Sequence, residues 1–117
     1  MRLEIRRRRL EVSPSLRGHI ERRLRSALGG FSRHVGGVRV YLRDVNGPRG
    51  GVDKTCRVVV HLPGTGRAVV AGTAAEVYAL VARTAGRLRR AIKRRLQRRR
   101  RLRCRPRRPA AASTMID

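Results

Sequence analysis

Apolar and polar positions alternate in four short runs and recur at helical spacing in two longer ones. Leu3 and Ile5 alternate with Arg2, Glu4 and Arg6, which predicts a strand over Arg2–Arg6 with one buried face. Leu16, Ile20, Leu24, Ala27 and Phe31 recur at three- and four-residue steps and share one face of a helix. Ser13 is placed to cap that helix, Pro14 fits its first turn, and Gly29-Gly30 ends it. Val38, Val40 and Leu42 point one way while Arg39, Tyr41 and Arg43 point the other. Cys56, Val58, Val60 and Leu62 alternate with Arg57, Val59 and His61, and Pro63-Gly64-Thr65-Gly66 is a tight hairpin connection to a strand over Arg67–Gly72. Thr73-Ala74-Ala75-Glu76 has the capping-box signature, so a second helix is expected from about Ala74. The order β-α-β-β-β-α predicts an α+β fold, with a four-stranded, mostly antiparallel sheet and two helices on one of its faces.

Of the 117 residues, 31 are Lys or Arg and 7 are Asp or Glu, a formal net charge of +24. That excess points to a polyanion, nucleic acid first and an acidic membrane surface second. Residues 93–108 hold 11 of the 31 cations and no acid, and Pro106 and Pro109 break any helix there. The chain therefore divides into a domain over 1–98 and an Arg-rich, solvated tail over 99–117. The 1–98 part is itself strongly basic, so the tail only adds to its charge.

The cations also have a pattern. Val81, Ala85, Leu88 and Ile92 form the apolar stripe of the second helix, and Arg83, Arg87, Arg90 and Arg94 repeat its intervals nearly opposite. On the first helix Arg22 and Arg25 point away from the apolar face while Arg17 and Arg23 flank it. These eight arginines are the candidate RNA-binding residues. A charged outer face is common in soluble proteins, but this one is nearly of one sign and has almost no acidic partner at i±4. Only Lys54 and Lys93 are lysine; the arginine fork binds phosphate oxygens bidentately. Aromatic residues make up 3% of the chain, which favours structured RNA over unstacked bases.

Other chemistries find little support. No stretch of about 20 apolar residues is present to span a membrane, and no apolar segment follows the basic N-terminus as in a secretory signal. Cys56 and Cys104 share no CxxC, and His19, His34 and His61 lack ligand spacing, so no metal or other cofactor is expected. NGPRGGVDK is not a phosphate-binding P-loop, since it joins two strands; Arg49 and Lys54 in it are candidate phosphate contacts. Asp44, Asp53 and Glu76 form no acid–base pair, and no nucleophile motif is present, so no enzymatic activity is expected.

The opening strand with Glu11-Val12-Ser13-Pro14-Ser15-Leu16-Arg17, the Phe31 and His34 corner, Cys56–Pro63 with its glycine hairpin, and Val77-Tyr78-Ala79-Leu80-Val81 before a basic helix resemble the ribosome hibernation promoting factors. That family is also known as ribosome-associated inhibitor A or sigma-54 modulation proteins. The resemblance covers about residues 1–96 and implies a fold like the double-stranded RNA-binding domain. It implies a factor that occupies the messenger and transfer RNA channel of the small ribosomal subunit; the two unpaired cysteines fit a cytoplasmic, reduced protein, and a monomer is expected when it is free. Such a factor contacts ribosomal RNA and preserves idle ribosomes under stress. The family's basic positions fall on Arg17 and Arg23 of the first helix and on Arg87, Arg90 and Arg94 of the second. The chain departs from the family pattern at Ala82, where Asp is frequent, at Ser26, where Lys is common, and in its longer NGPRGG loop. An arginine tail stands where long members carry a ribosome-pairing domain, so a short form that does not dimerise ribosomes by itself is expected. Two other readings stay open: a general binder of structured RNA or DNA, and a regulator acting through protein contact.

Overall fold

In the computed structural model, which describes residues 2–45 and 53–104, alternation and helical period give the expected elements. They are β1 (Arg2–Arg8), α1 (Pro14–Leu28), a 3-10 turn (Gly29–His34), β2 (Gly37–Asp44), β3 (Lys54–Leu62), β4 (Gly66–Ala74) and α2 (Val77–Cys104). The strands stand in the order β1-β2-β3-β4. β1 pairs with β2 in parallel, because α1 carries the chain back across the sheet between them. The β2–β3 and β3–β4 pairs are antiparallel, so the sheet is mixed.

One side of each strand is apolar, and both helices cover that side. Val38, Val40 and Leu42 of β2 and Cys56, Val58, Val60 and Leu62 of β3 are buried with Leu16, Ile20 and Leu24 of α1 and Leu80, Leu88 and Ile92 of α2 in one core cluster. Cys56 is the small core residue its pattern implied, and burial pushes its thiol up to about 11. The helices run parallel. At their starts Tyr78 donates to Ser15 Oγ (3.1 Å), and its ring meets that of His19 at a tilt, with centroids 4.8 Å apart. Beyond the end of α1, Arg89 of α2 sits over the Phe31 ring. At Gly72 a Cβ would lie 3.4 Å from Leu80 Cδ1, so the missing side chain lets α2 settle closely on β4.

The start of α1 follows from Ser13. Its Oγ accepts from Leu16 N (3.1 Å) and its carbonyl from Arg17 N (2.9 Å). We expect Ser13→Ala to lower unfolding stability by about 1 kcal/mol, read as a reduced urea midpoint at unchanged slope.

The second helix starts differently from the capping-box expectation. Thr73 and Ala74 stay in β4, paired with Thr55 and Lys54 of β3. Glu76 itself is the cap: its carbonyl accepts from Leu80 N, and its carboxylate accepts from Tyr78 N (2.9 Å) and Ala79 N (3.0 Å). Those backbone bonds, Tyr78 first and Ala79 next, hold the Glu76 carboxyl below its usual range. The stabilisation is therefore complete above the ordinary Glu value of about 4.3 and is lost as pH falls through the lower folded value. We expect the urea midpoints of the native chain and Glu76→Gln to differ by a constant amount at neutral pH and to converge at acid pH.

α2 continues past residue 98 to Cys104. Arg49 and the NGPRGG turn, and the tail from residue 105, lie outside the described residues.

Candidate nucleic-acid interface

Helical period brings the eight candidate arginines to the surface, and all are exposed: Arg17, Arg22, Arg23 and Arg25 on α1, and Arg83, Arg87, Arg90 and Arg94 on α2. Among the described residues none of them pairs with a carboxylate. The ion pairs there are those of Glu4 with Arg6 and Arg39, and of Lys54 with Asp44 and Asp53.

The α2 stripe is turned towards the sheet edge more than the helical wheel suggested. β4 is an edge strand, and its outer carbonyls have no ladder partner. Arg83 donates to the Thr73 carbonyl (2.6 Å) and Arg87 to the Ala71 carbonyl (2.9 Å). Farther along the same seam, Arg94 joins Arg95 and Arg98 around a hollow that Ala68, Val69 and Ala91 also line. Three arginines of the stripe thus line the α2–β4 seam. Arg90 has no hydrogen bond or ion pair to another described residue. On α1, Arg22 and Arg25 lie opposite the buried face. Arg23 lies one turn beyond His19, on the flank that meets α2, and Arg17 lies on the other flank. The helices therefore do not present all eight guanidiniums on a single plane.

Lys54 differs from the expectation of a phosphate contact. Its ammonium lies 3.0 Å from Asp53 Oδ1 and 3.6 Å from Asp44 Oδ2, and the Asp53 hydrogen bond leads the causes that raise its pKa. Both carboxylates neutralise it, so it serves the β2–β3 junction.

The wheel also passed over the strands. With both helices on one side, no other described element covers the other side of the sheet. Alternation places Arg2 and Arg6 of β1, Arg39 and Arg43 of β2, Arg57 of β3 and Arg67 of β4 on it, all exposed. Arg57 stands over the Tyr41 ring, 5.0 Å from its centroid. The Tyr41 side chain and Glu4 favour the charged form of Arg39. The alternation of Arg39, Tyr41 and Arg43 was visible in the sequence; that both helices lie on the opposite side was not.

Among the described residues no group of three or more His, Cys, Asp or Glu side chains is placed to hold a metal ion. No helix there is long and apolar enough to cross a membrane.

Residues 3–100 match the family model described as Sigma 54 modulation protein / S30EA ribosomal protein. Among solved structures, the N-terminal domain of Protein Y from Thermus thermophilus aligns with a TM-score of 0.64 at 24% identity, covering 80% of this chain and 98% of that one. A ribosomal subunit interface protein from Coxiella burnetii aligns with a TM-score of 0.68 at 16% identity, covering 82% of this chain and 99% of that one. At these identities the two structures establish a shared fold. Comparison of the sequence with curated proteins finds no match.

Proposed function

Because the chain belongs to the Sigma 54 modulation protein / S30EA ribosomal protein family, whose members are ribosome-associated factors and not enzymes, we propose that it is a cytoplasmic hibernation factor. It binds the small ribosomal subunit in the channel used by messenger and transfer RNA. The mechanism is steric. Arg17, Arg22, Arg23, Arg25, Arg83, Arg87, Arg90 and Arg94 hold ribosomal RNA phosphates, the domain fills the decoding channel, and the idle ribosome is preserved. The observation that carries this reading is the set of exposed α1 and α2 arginines without a carboxylate partner among the described residues, on a fold shared with a ribosomal subunit interface protein. Guanidiniums left free by acids are available to phosphate, and exchanging water for a bidentate phosphate costs arginine little desolvation.

Neutralising about 6–10 phosphates makes affinity fall steeply with salt. The test is sedimentation of purified chain with small subunits through sucrose at moderate salt, with messenger and transfer RNA as competitors. The expected result is co-sedimentation that both competitors reduce. Protein that stays at the top while still shifting bulk RNA would overturn the proposal in favour of a general structured-RNA binder. An association that survives nuclease would favour the protein-contact regulator.

A further inference from the structure

The open face of the sheet has a chemistry that the helix faces lack. Strand register lines up its side chains in rows. Arg6, Tyr41, Arg57 and Ala71 are successive partners across the four strands, and the next row is Glu4, Arg39, Val59 and Val69. One row therefore centres on an aromatic ring beneath a guanidinium, and the other ends in two valines, of which Val69 is 51% exposed. Arginines of all four strands surround these groups. Glu4 is the one described carboxylate on this face, and Arg39 (3.0 Å) and Arg6 (3.1 Å) both bind it.

Stacking surface, apolar surface and unpaired cations together suit one kind of occupant. A duplex offers phosphates but hides the faces of its bases, so Tyr41 and the valines would contribute nothing to holding it. An unstacked strand uses all three: bases lie on aromatic or guanidinium planes while the backbone follows the cations. The face also has a continuation. At the β4 edge it opens into a groove lined by Tyr41, Arg43, Arg57, Thr73, Arg83 and Arg87. Arg83 and Arg87, which reach over that edge, thus belong to the helix stripe and to the sheet face at once.

The geometry points to a second RNA-binding surface on the open sheet face, specific for a single-stranded segment. Its bases stack on the Tyr41–Arg57 pair and cover Val59 and Val69. Its phosphates are held by Arg43 and Arg67, and the strand leaves over the β4 edge past Arg87. This surface extends the ribosome reading through the two shared arginines, but it does not require a ribosome.

The test uses the full chain and a fluorescein-labelled, mixed-pyrimidine RNA of about 12 nucleotides, followed by anisotropy over a salt series. Arg43 and Arg67 are exposed, so Arg43→Gln with Arg67→Gln keeps the fold. We expect this double variant to lose affinity at least about tenfold. Its salt slope falls by about 1.4, the contribution of two single-strand phosphate contacts at about 0.7 each. Tyr41→Leu keeps an apolar side chain over the half-buried position; it loses affinity by about tenfold with the slope unchanged, as removal of a stacking contact requires. The charge-matched control, Arg7→Gln with Arg33→Gln, stays within about twofold of the native chain, because these exposed arginines lie off this face.

Equal losses in the control and the sheet variants would overturn the proposal, since net charge alone would then explain binding. Equal sensitivity of a duplex RNA probe would overturn its single-strand specificity. Displacement of the RNA by polyglutamate of matched charge, with the same dependence on Tyr41, would assign the face to an acidic protein instead. Sedimentation keeps the two proposals apart. A native chain that fails to sediment with small subunits ends the ribosome reading and leaves this one standing. Oligonucleotide binding that ignores the sheet variants does the reverse.

Discussion

Arg87→Glu combined with Arg90→Glu is expected to abolish small-subunit binding in a protein that is still folded. Both side chains are exposed and neither packs in the core. A hydrogen bond to a charged group contributes about 1.5–3 kcal/mol, so loss of two such contacts removes about 3–6 kcal/mol. That is about two to four orders of magnitude in Kd, before the repulsion added by two carboxylates facing phosphate. The cost to folding is small. Arg90 has no partner among the described residues, and Arg87 gives up one bond to the Ala71 carbonyl, about 1 kcal/mol at a solvated edge. Circular dichroism and sedimentation of the same sample check both statements. Deleting residues 99–117 is expected to weaken binding less than this pair. An equal or greater loss would make the tail the main contact and the helix stripe an accessory.

Leu88→Ala is expected to act in the opposite sense, on the fold and not on the contact. Leu88 is fully buried on α2, beside Arg87 in sequence and within the cluster shared by the sheet and both helices. Truncation leaves a cavity and costs about 2–5 kcal/mol. For a domain of this size that lowers Tm by about 10 °C or more. Because only the native state binds, saturating small subunits restore part of the loss by mass action. At low temperature the variant still sediments, whereas the Arg87 and Arg90 double variant does not. A Leu88→Ala chain that is fully folded yet fails to bind would show that the surface depends on core geometry more finely than the proposal holds.

The order of elements was legible because local pattern and tertiary packing agree for most of the chain. Ser13 caps α1 in the expected way because nothing else competes for it. The start of α2 shows where local pattern loses. Thr73-Ala74-Ala75-Glu76 satisfies a helix-start signature, but pairing of Thr73 with Thr55 and of Ala74 with Lys54 keeps the first two residues extended. The cap then passes to Glu76.

The candidate site was legible in membership and less so in direction. Helical period says which arginines share a face. It does not say that an unpaired strand edge lies alongside them, so the inclination of Arg83 and Arg87 towards β4 needed the sheet order. Lys54 was misread for a related reason. Asp44, distant in sequence, becomes its cross-strand partner only through the β2–β3 register. The sheet face was half visible, since alternation grouped Arg39, Tyr41 and Arg43, but its openness depends on both helices choosing the other side.

An open four-stranded sheet has two outer strands, and each can template the addition of a further chain. In this protein both edges carry guanidiniums. Arg83 and Arg87 occupy carbonyls of β4, and the outer strand β1 ends in the run Arg6-Arg7-Arg8. Such placement hinders edge-to-edge pairing of free molecules, despite the open face beside those edges. Under the proposed function, Arg83 and Arg87 would turn to phosphate, leaving the β4 carbonyls to be screened by the bound nucleic acid. Protection from self-association would then pass from the side chains to the proposed ligand.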